Sequence, residues 1–184
     1  MALTATILNF AVELVDIDRG VYDTLEFRLA QHPSENAQRV ALRVLARAMA
    51  HEEDLAFGRG LSHVEDPTLW SKGPQGQITH WIDVGAPSAQ RLHRASKKAD
   101  RVSVYSDKKL TSLEKEWMGQ RIHRSEDIAL ILLEPTLTEA LAAEISRQNQ
   151  WIVTLNEGYL SVSLGDKSID SEPETTTVAV FLTR

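Results

Sequence analysis

The alternation of apolar and polar positions along this chain changes period several times, and each change marks an element. Residues Thr4 to Val15 alternate loosely and are rich in β-forming side chains. Asp16-x-Asp18-Arg19-Gly20 has turn composition and Tyr22 to Leu29 alternates again, so the chain is expected to open with a hairpin. From Pro33 to about Asp54 the apolar residues Ala37, Val40, Ala41, Val44, Leu45, Ala48 and Met49 fall at helical spacing, with Pro33 and Glu35 in the first turn. Phe57 to Gly76 is rich in Gly, Pro and Asp and reads as a long connection. Leu61, Leu69 and Trp70 suit an ordered, packed one. Gln77 to Val84 predicts a strand with Ile78, His80, Ile82 and Val84 on one face and Thr79, Trp81 and Asp83 on the other.

After Gly85-x-Pro87, Ser88 can cap a helix that places Leu92, Ala95 and Ala99 on one side. A strand over Arg101–Tyr105, a helix over Lys109–Gln120 and a strand over Ile128–Leu133 follow. Leu137–Gln148 reads as a helix capped by Thr136 or Thr138. Trp151–Leu155 and Tyr159–Leu164 read as strands joined at Asn156-Glu157-Gly158, Gly165–Thr175 as a polar loop, and Val178–Leu182 as a last strand. The middle of the chain thus follows the β-α-β pattern of crossover units around a largely parallel sheet. No repeat and no linker composition interrupts it, so one domain over residues 1–184 is expected.

Composition narrows the possibilities. At 184 residues, with 42% apolar and 25% charged side chains, the chain has the make-up of a globular domain with a sizeable core. It has no cysteine, which excludes a disulfide-linked partner, cysteine zinc sites and cysteine nucleophiles, and which suits a reducing cytoplasm. Its longest apolar run is Ile128–Leu133, far short of the roughly 20 residues a membrane helix needs, and no signal-peptide pattern precedes it. A cytoplasmic protein without membrane association is expected. Net charge is −6, which argues against nonspecific coating of nucleic acid. Between Ser88 and Lys109, however, seven Lys/Arg face two Asp, so this segment is basic on an acidic chain. Arg91, Arg94, Lys98 and Arg101 form a stripe at helical spacing, the pattern of a cleft for a phosphate-bearing ligand or of a solvated helix face.

Three carboxylates lie close to that stripe. Asp83 ends a strand among Trp81, Ile82 and Val84, Asp66 sits in the connection before it, and Glu35 lies at a helix start. Magnesium takes oxygen ligands of this kind and polarises a phosphodiester, so Glu35, Asp66 and Asp83 are candidate metal ligands. Arg59, between Gly58 and Gly60, can clamp a phosphate, and Arg91 and Lys97 are further phosphate-binding candidates. Arg94 or Lys98 can stabilise developing charge beside Asp83. Each residue also has a plainer role: Glu35 as a helix-dipole partner, Asp66 before Pro67 as a turn residue, and Arg59 as an ion-pair partner. Dinucleotide, P-loop, metalloprotease and serine-hydrolase signatures are absent.

The opening Met1-Ala2-Leu3-x-Ala5-Thr6-Ile7, His32-Pro33-Ser34-Glu35, Arg59-Gly60-Leu61, Asp66-Pro67-x-Leu69-Trp70 and Trp81-Ile82-Asp83-x-Gly85-x-Pro87 with Arg91 resemble the YaeQ family of bacterial proteins over nearly the whole length. The resemblance implies a variant of the PD-(D/E)XK, restriction-endonuclease-like fold: a mixed β-sheet flanked by helices, with an N-terminal hairpin and C-terminal antiparallel strands added. It also implies acidic places for Glu35, Asp66 and Asp83 and a lysine two residues after the last acid. Position 85 is glycine, and Arg94, with Lys97 and Lys98 as substitutes, matches the migrated lysine of some superfamily members. An arginine stays protonated and is a poor proton shuttle. Three readings follow: a magnesium-dependent nuclease, a non-catalytic module binding nucleic acid or protein, and an interaction protein whose acids are consumed by internal salt bridges. Oligomeric state is left open.

Overall fold

The computed structural model describes residues 4–61 and 63–183. Strands β1 (Thr6–Asp16) and β2 (Val21–Gln31) form the expected hairpin, with Phe10 opposite Phe27 and Val12 opposite Leu25. Helix α1 (Ala37–Met49) starts later than its apolar period suggests. Asn36 is the cap, its side chain accepting from the Arg39 amide. The His32–Glu35 stretch closes into a turn of its own, through the Glu35 amide to the His32 carbonyl. Glu35 therefore precedes the helix instead of lying in its first turn.

The expected long connection contains two short strands, β3 (Ala56–Phe57) and β4 (Leu69–Lys72), before β5 (Ile78–Val84). Next come α2 (Ala89–Lys98), capped by Ser88 as its sequence suggests, β6 (Ala99–Ser106), α3 (Leu110–Trp117) and β7 (Ile128–Leu132). Helix α4 (Pro135–Glu144) ends before Gln148 and has Pro135 in its first turn. No side chain caps it, and the Thr138 hydroxyl donates to Asp107 instead. The C-terminal part holds β8 (Gln148–Asn156), β9 (Tyr159–Leu164), β10 (Lys167–Ser171) and β11 (Glu174–Thr177). The segment expected as a polar loop supplies the last two of these strands, and the expected final strand is a 3-10 turn, Val178–Phe181.

These elements build two mixed sheets and four helices. The hairpin and the C-terminal strands are not appendages to one sheet. They join as a sheet of their own, β10-β9-β8-β1-β2, in which β1 runs parallel to β8 and pairs Val12 with Trp151. The other sheet has the order β11-β7-β6-β5-β4-β3, with β5, β6 and β7 parallel. Helix α1 is buried along Val40–Ala46, nearly all round, because it contributes to a core that both sheets share. Leu8, Phe10, Trp151 and Val162 come to that core from one sheet, Leu69, Ile82 and Val84 from the other, and Leu137 and Leu141 from α4. On the opposite side of the parallel strands, Leu92, Leu113, Trp117, Val104, Leu130 and Phe181 form a second core under α2 and α3. Ile82 and Val84 thus serve one core and Trp81 the other, as strand alternation requires. Among the described residues no helix is long and apolar enough to cross a membrane.

Candidate functional site

The carboxyl ends of parallel strands leave a crevice wherever the chain turns away to a helix. Here β5 ends at Val84, and Gly85, at a φ of 86°, turns the backbone while its amide stays bonded to the Tyr105 carbonyl at 2.8 Å. A cleft of about 260 Å³ opens at this point. Its walls come from the start of α1, the segment around Leu61 to Thr68, and the turn into α2. Glu35, Asp66 and Asp83, chosen from sequence, all line it. So do Arg39, Arg43 and Arg91.

Each acid meets an arginine. Asp83, whose side chain is 3% exposed, receives Arg91 as a two-pronged fork, Nε at 2.7 Å and Nη2 at 2.8 Å. The Trp81 indole N–H at 2.8 Å and the Thr68 amide at 3.2 Å complete its shell. Asp66 receives the Arg59 fork at 2.6 and 3.0 Å and the Arg59 amide at 3.4 Å. Glu35 receives Arg43 Nη1 on both oxygens at 3.1 and 3.0 Å, and the His32 amide at 3.4 Å. Arg91 also donates to the backbone carbonyls of Val64 and Asp66 and lies over the Trp81 ring, so it fastens the Val64–Asp66 segment to the end of β5.

The charges respond to these contacts. Hydrogen bonding from Arg59 is the main cause holding the Asp66 carboxyl below its ordinary range. Burial weakens the Arg91 cation, but Asp83, Glu65 and Asp66 together outweigh it and leave its pKa raised. At Arg43 burial wins and the pKa is lowered despite Glu35. The guanidinium still stays charged at neutral pH, given its very high ordinary pKa.

The remaining sequence candidates lie outside the cleft wall. Arg94 is exposed and pairs with Glu65 at 3.2 Å. Lys97 and Lys98 are exposed on the last turn of α2. Arg59 reaches out from Asp66 with its side chain 65% exposed. Arg39 and Arg43 were not singled out from sequence. Arg43 could have been, because a charged residue inside the run Val40–Ala46 has to find a partner. Arg39 is the least satisfied of the set. Its Nη1 donates to the Val84 carbonyl at 3.2 Å, while Nε lies 3.4 Å from Glu35 and makes no hydrogen bond.

Sequence and structure comparisons agree on the family. The sequence profile described as YaeQ protein matches residues 1–173. The chain belongs to the YaeQ family. An uncharacterised YaeQ protein of Salmonella typhi is 37% identical over 106 residues, and one of Escherichia coli K12 is 36% identical over the same length. Each of these matches covers 58% of this chain and 59% of the relative, less than two thirds of its length. The crystal structure of YaeQ from Pseudomonas syringae superposes with a TM-score of 0.86 at 32% identity, covering 94% of this chain and 96% of that one. YaeQ from Xanthomonas axonopodis pv. citri gives 0.84 at 31% identity, covering 94% and 98%. The YaeQ-family fold is therefore the one built here from two sheets around α1.

A second polar cluster lies on β5 and β6. His80 contacts Ser103 Oγ at 2.9 Å through Nε2 and Glu52 at 3.4 Å through Nδ1, and Glu52 is held by Arg101 at 2.7 Å and by the Ser71 hydroxyl. The order Ser–His–Glu resembles a hydrolytic triad. Ser103 sits mid-strand between Ile82 and Ala129, though, an unsuitable place for a nucleophile, and the cluster reads as a cross-link between strands. Burial is the main cause lowering the His80 pKa from 6.5, Arg101 adds to it, and Glu52 opposes it. The folded protein thus holds a proton at His80 less readily than the unfolded chain. This contribution to stability is full above about pH 6.5 and is lost as pH falls below it. Urea midpoints should drop from pH 7 to pH 5, and less so in His80→Gln. The drop will not vanish in the variant, because His51 is lowered as well. An identical pH dependence in wild type and variant would remove His80 from this role.

Proposed function

We propose that the cleft is an anion site for the phosphates of a nucleic acid, in a protein that keeps a PD-(D/E)XK-like arrangement of acids without magnesium chemistry. One observation carries this reading: four guanidinium groups meet three carboxylates that already accept three or four hydrogen bonds each. A carboxylate offers about four acceptor positions. Asp83 receives four N–H donors, Glu35 receives three hydrogen bonds plus the Arg39 cation, and Asp66 receives three. Magnesium would have to displace these donors, so the residues as arranged do not fit the ion. Arg39 is the surplus cation. A Cβ at Gly85 would lie 3.7 Å from its Nη1, so α1 delivers a positive group beside the position where the superfamily pattern puts its lysine. Lys97 and Lys98 are exposed on the last turn of α2, the helix that carries Arg91, while the Arg94 charge is offset by Glu65.

Glu35, Asp66 and Asp83 all line the cleft, which is the ground for the competing reading, metal-dependent phosphodiester hydrolysis, but among the described residues no three acids are grouped so as to hold one ion. One experiment separates the two. Binding of a single-stranded oligonucleotide is measured by anisotropy in EDTA over a range of salt. Calorimetry with magnesium is run alongside, with oligonucleotide present, on wild type and Asp83→Asn. The expected outcome is salt-dependent binding in EDTA, with Arg39→Gln weakening it and lowering the log–log salt slope by about 0.7, the contribution of one phosphate on a single strand. Magnesium binding that Asp83→Asn abolishes would replace this proposal with the hydrolytic one.

A further inference from the structure

Strand β2 is the edge of its sheet: β1 pairs with one side of it and, among the described residues, no strand pairs with the other. It runs for 11 residues without a proline, a lysine or a bulge, devices that commonly blunt such an edge. The Asn9 and Ile17 amides donate to the Arg147 and Leu155 carbonyls, so the odd-numbered residues of β1 turn their backbone groups to β8 and the even-numbered ones to β2. There Phe10 meets Phe27 and Val12 meets Leu25, which uses the odd-numbered residues of β2. The amides and carbonyls of Tyr22, Thr24, Glu26, Arg28 and Ala30 therefore point out of the edge. The Asp23 side chain takes the Thr24 amide at 2.7 Å, and Arg43 takes the Ala30 carbonyl at 3.2 Å. In the middle of the strand, Glu26 and Arg28 are exposed, and among the described residues neither side chain has an ion-pair partner and no further hydrogen bond reaches their backbone.

An open edge accepts a strand, and the charges select which one. A second copy running antiparallel about a two-fold axis presents the same residues in reverse. With the axis at Phe27, Glu26 lies opposite Arg28 of the second copy and Arg28 opposite its Glu26, on the same face, and the two residues exchange their free backbone bonds with those partners. Sliding the pairing by two residues sets Glu26 against Glu26 or Arg28 against Arg28, so only this register joins opposite charges in both places. The ladder then reaches Thr24 opposite Ala30, where the Asp23 side chain and Arg43 already satisfy one group each. On the other face Phe27, only partly buried, is 5.6 Å from the Phe10 ring and 5.2 Å from that of Phe57. Pairing about Phe27 sets two such aromatic clusters side by side.

We propose that β2 is a homodimer interface, joining two copies through antiparallel β2 strands centred on Phe27 with reciprocal Glu26–Arg28 pairs. Sedimentation equilibrium up to about 100 μM, enough to populate an interface with a micromolar Kd, tests it. Wild type should show a dimer. Glu26→Arg and Arg28→Glu should each weaken dimerisation about tenfold, because either one turns both attractive cross-strand pairs repulsive. The double variant Glu26→Arg with Arg28→Glu should restore the dimer, and the two single variants mixed should form a heterodimer. Both positions are exposed, and urea midpoints of the dilute variants check that each still folds. A wild type that stays monomeric throughout overturns the proposal. So does a dimer indifferent to both reversals, which would use another surface, and so does a double variant no better than the singles, which would remove the Glu26–Arg28 register.

Discussion

Replacing Arg91 with methionine will destabilise the fold by about 3–5 kcal/mol, the loss typical when one partner of a buried ion pair is removed. Asp83 would keep only the Trp81 indole and the Thr68 amide as donors, in a site where its side chain is 3% exposed. The same substitution frees the carbonyls of Val64 and Asp66, which Arg91 now holds. Urea unfolding measures the first effect. Hydrogen exchange at the His63 and Asp66 amides, bonded to the Gly60 and His63 carbonyls, measures the second. Lysine at position 91 keeps the charge but cannot fork, so it should fall between the two. A loss under about 1 kcal/mol would place the pair with ordinary surface salt bridges and would remove Arg91 as the fastening of the cleft.

Arg43→Met is expected to cost a similar amount, about 3–5 kcal/mol, for a related reason. The Glu35 side chain is 1% exposed and that of Arg43 7%. Without Arg43, Glu35 would keep the 3.4 Å contact with Arg39 and the long bond from the His32 amide. Arg43 also donates to the Ala30 carbonyl at 3.2 Å and lies over the Phe57 ring, so it ties α1 to the end of β2. The double variant Glu35→Gln with Arg43→Met should recover most of the loss, because the charge left unpaired is gone. Urea midpoints of the two single variants and the double form the test. A double variant as unstable as Arg43→Met alone would show that Arg43 contributes through packing and the Ala30 bond and not through Glu35.

Much of this architecture could be read from the chain because the long elements carry strong periods. The hairpin alternates along both strands, and α1, β5, α2, β6 and β7 fall close to where spacing puts them. The missed strands β3, β4, β10 and β11 have two to five residues each and mixed polarity. Such segments become strands because a neighbour offers unpaired backbone groups, which local sequence does not record. β11, for example, is Glu-Thr-Thr-Thr and exists by pairing with β7. The start of α1 was placed too early at Pro33 because the His32–Glu35 turn competes with the helix and Asn36 offers the better cap.

Within the site, the sequence by itself offered Glu35, Asp66 and Asp83 and several arginines as candidates, and the tertiary structure decided that the three acids line one cleft. Only the tertiary structure decided the pairs. Glu35 finds Arg43, Asp66 finds Arg59 and Asp83 finds Arg91, each seven or eight residues away across an element boundary. Because each pair spans an element boundary, no single helical or strand period relates its two members. The pairing follows from burial: a carboxylate leaving water needs the guanidinium that the packed backbone puts within reach. The same packing left Arg39 without a full partner, and it is that residue that carries the functional reading.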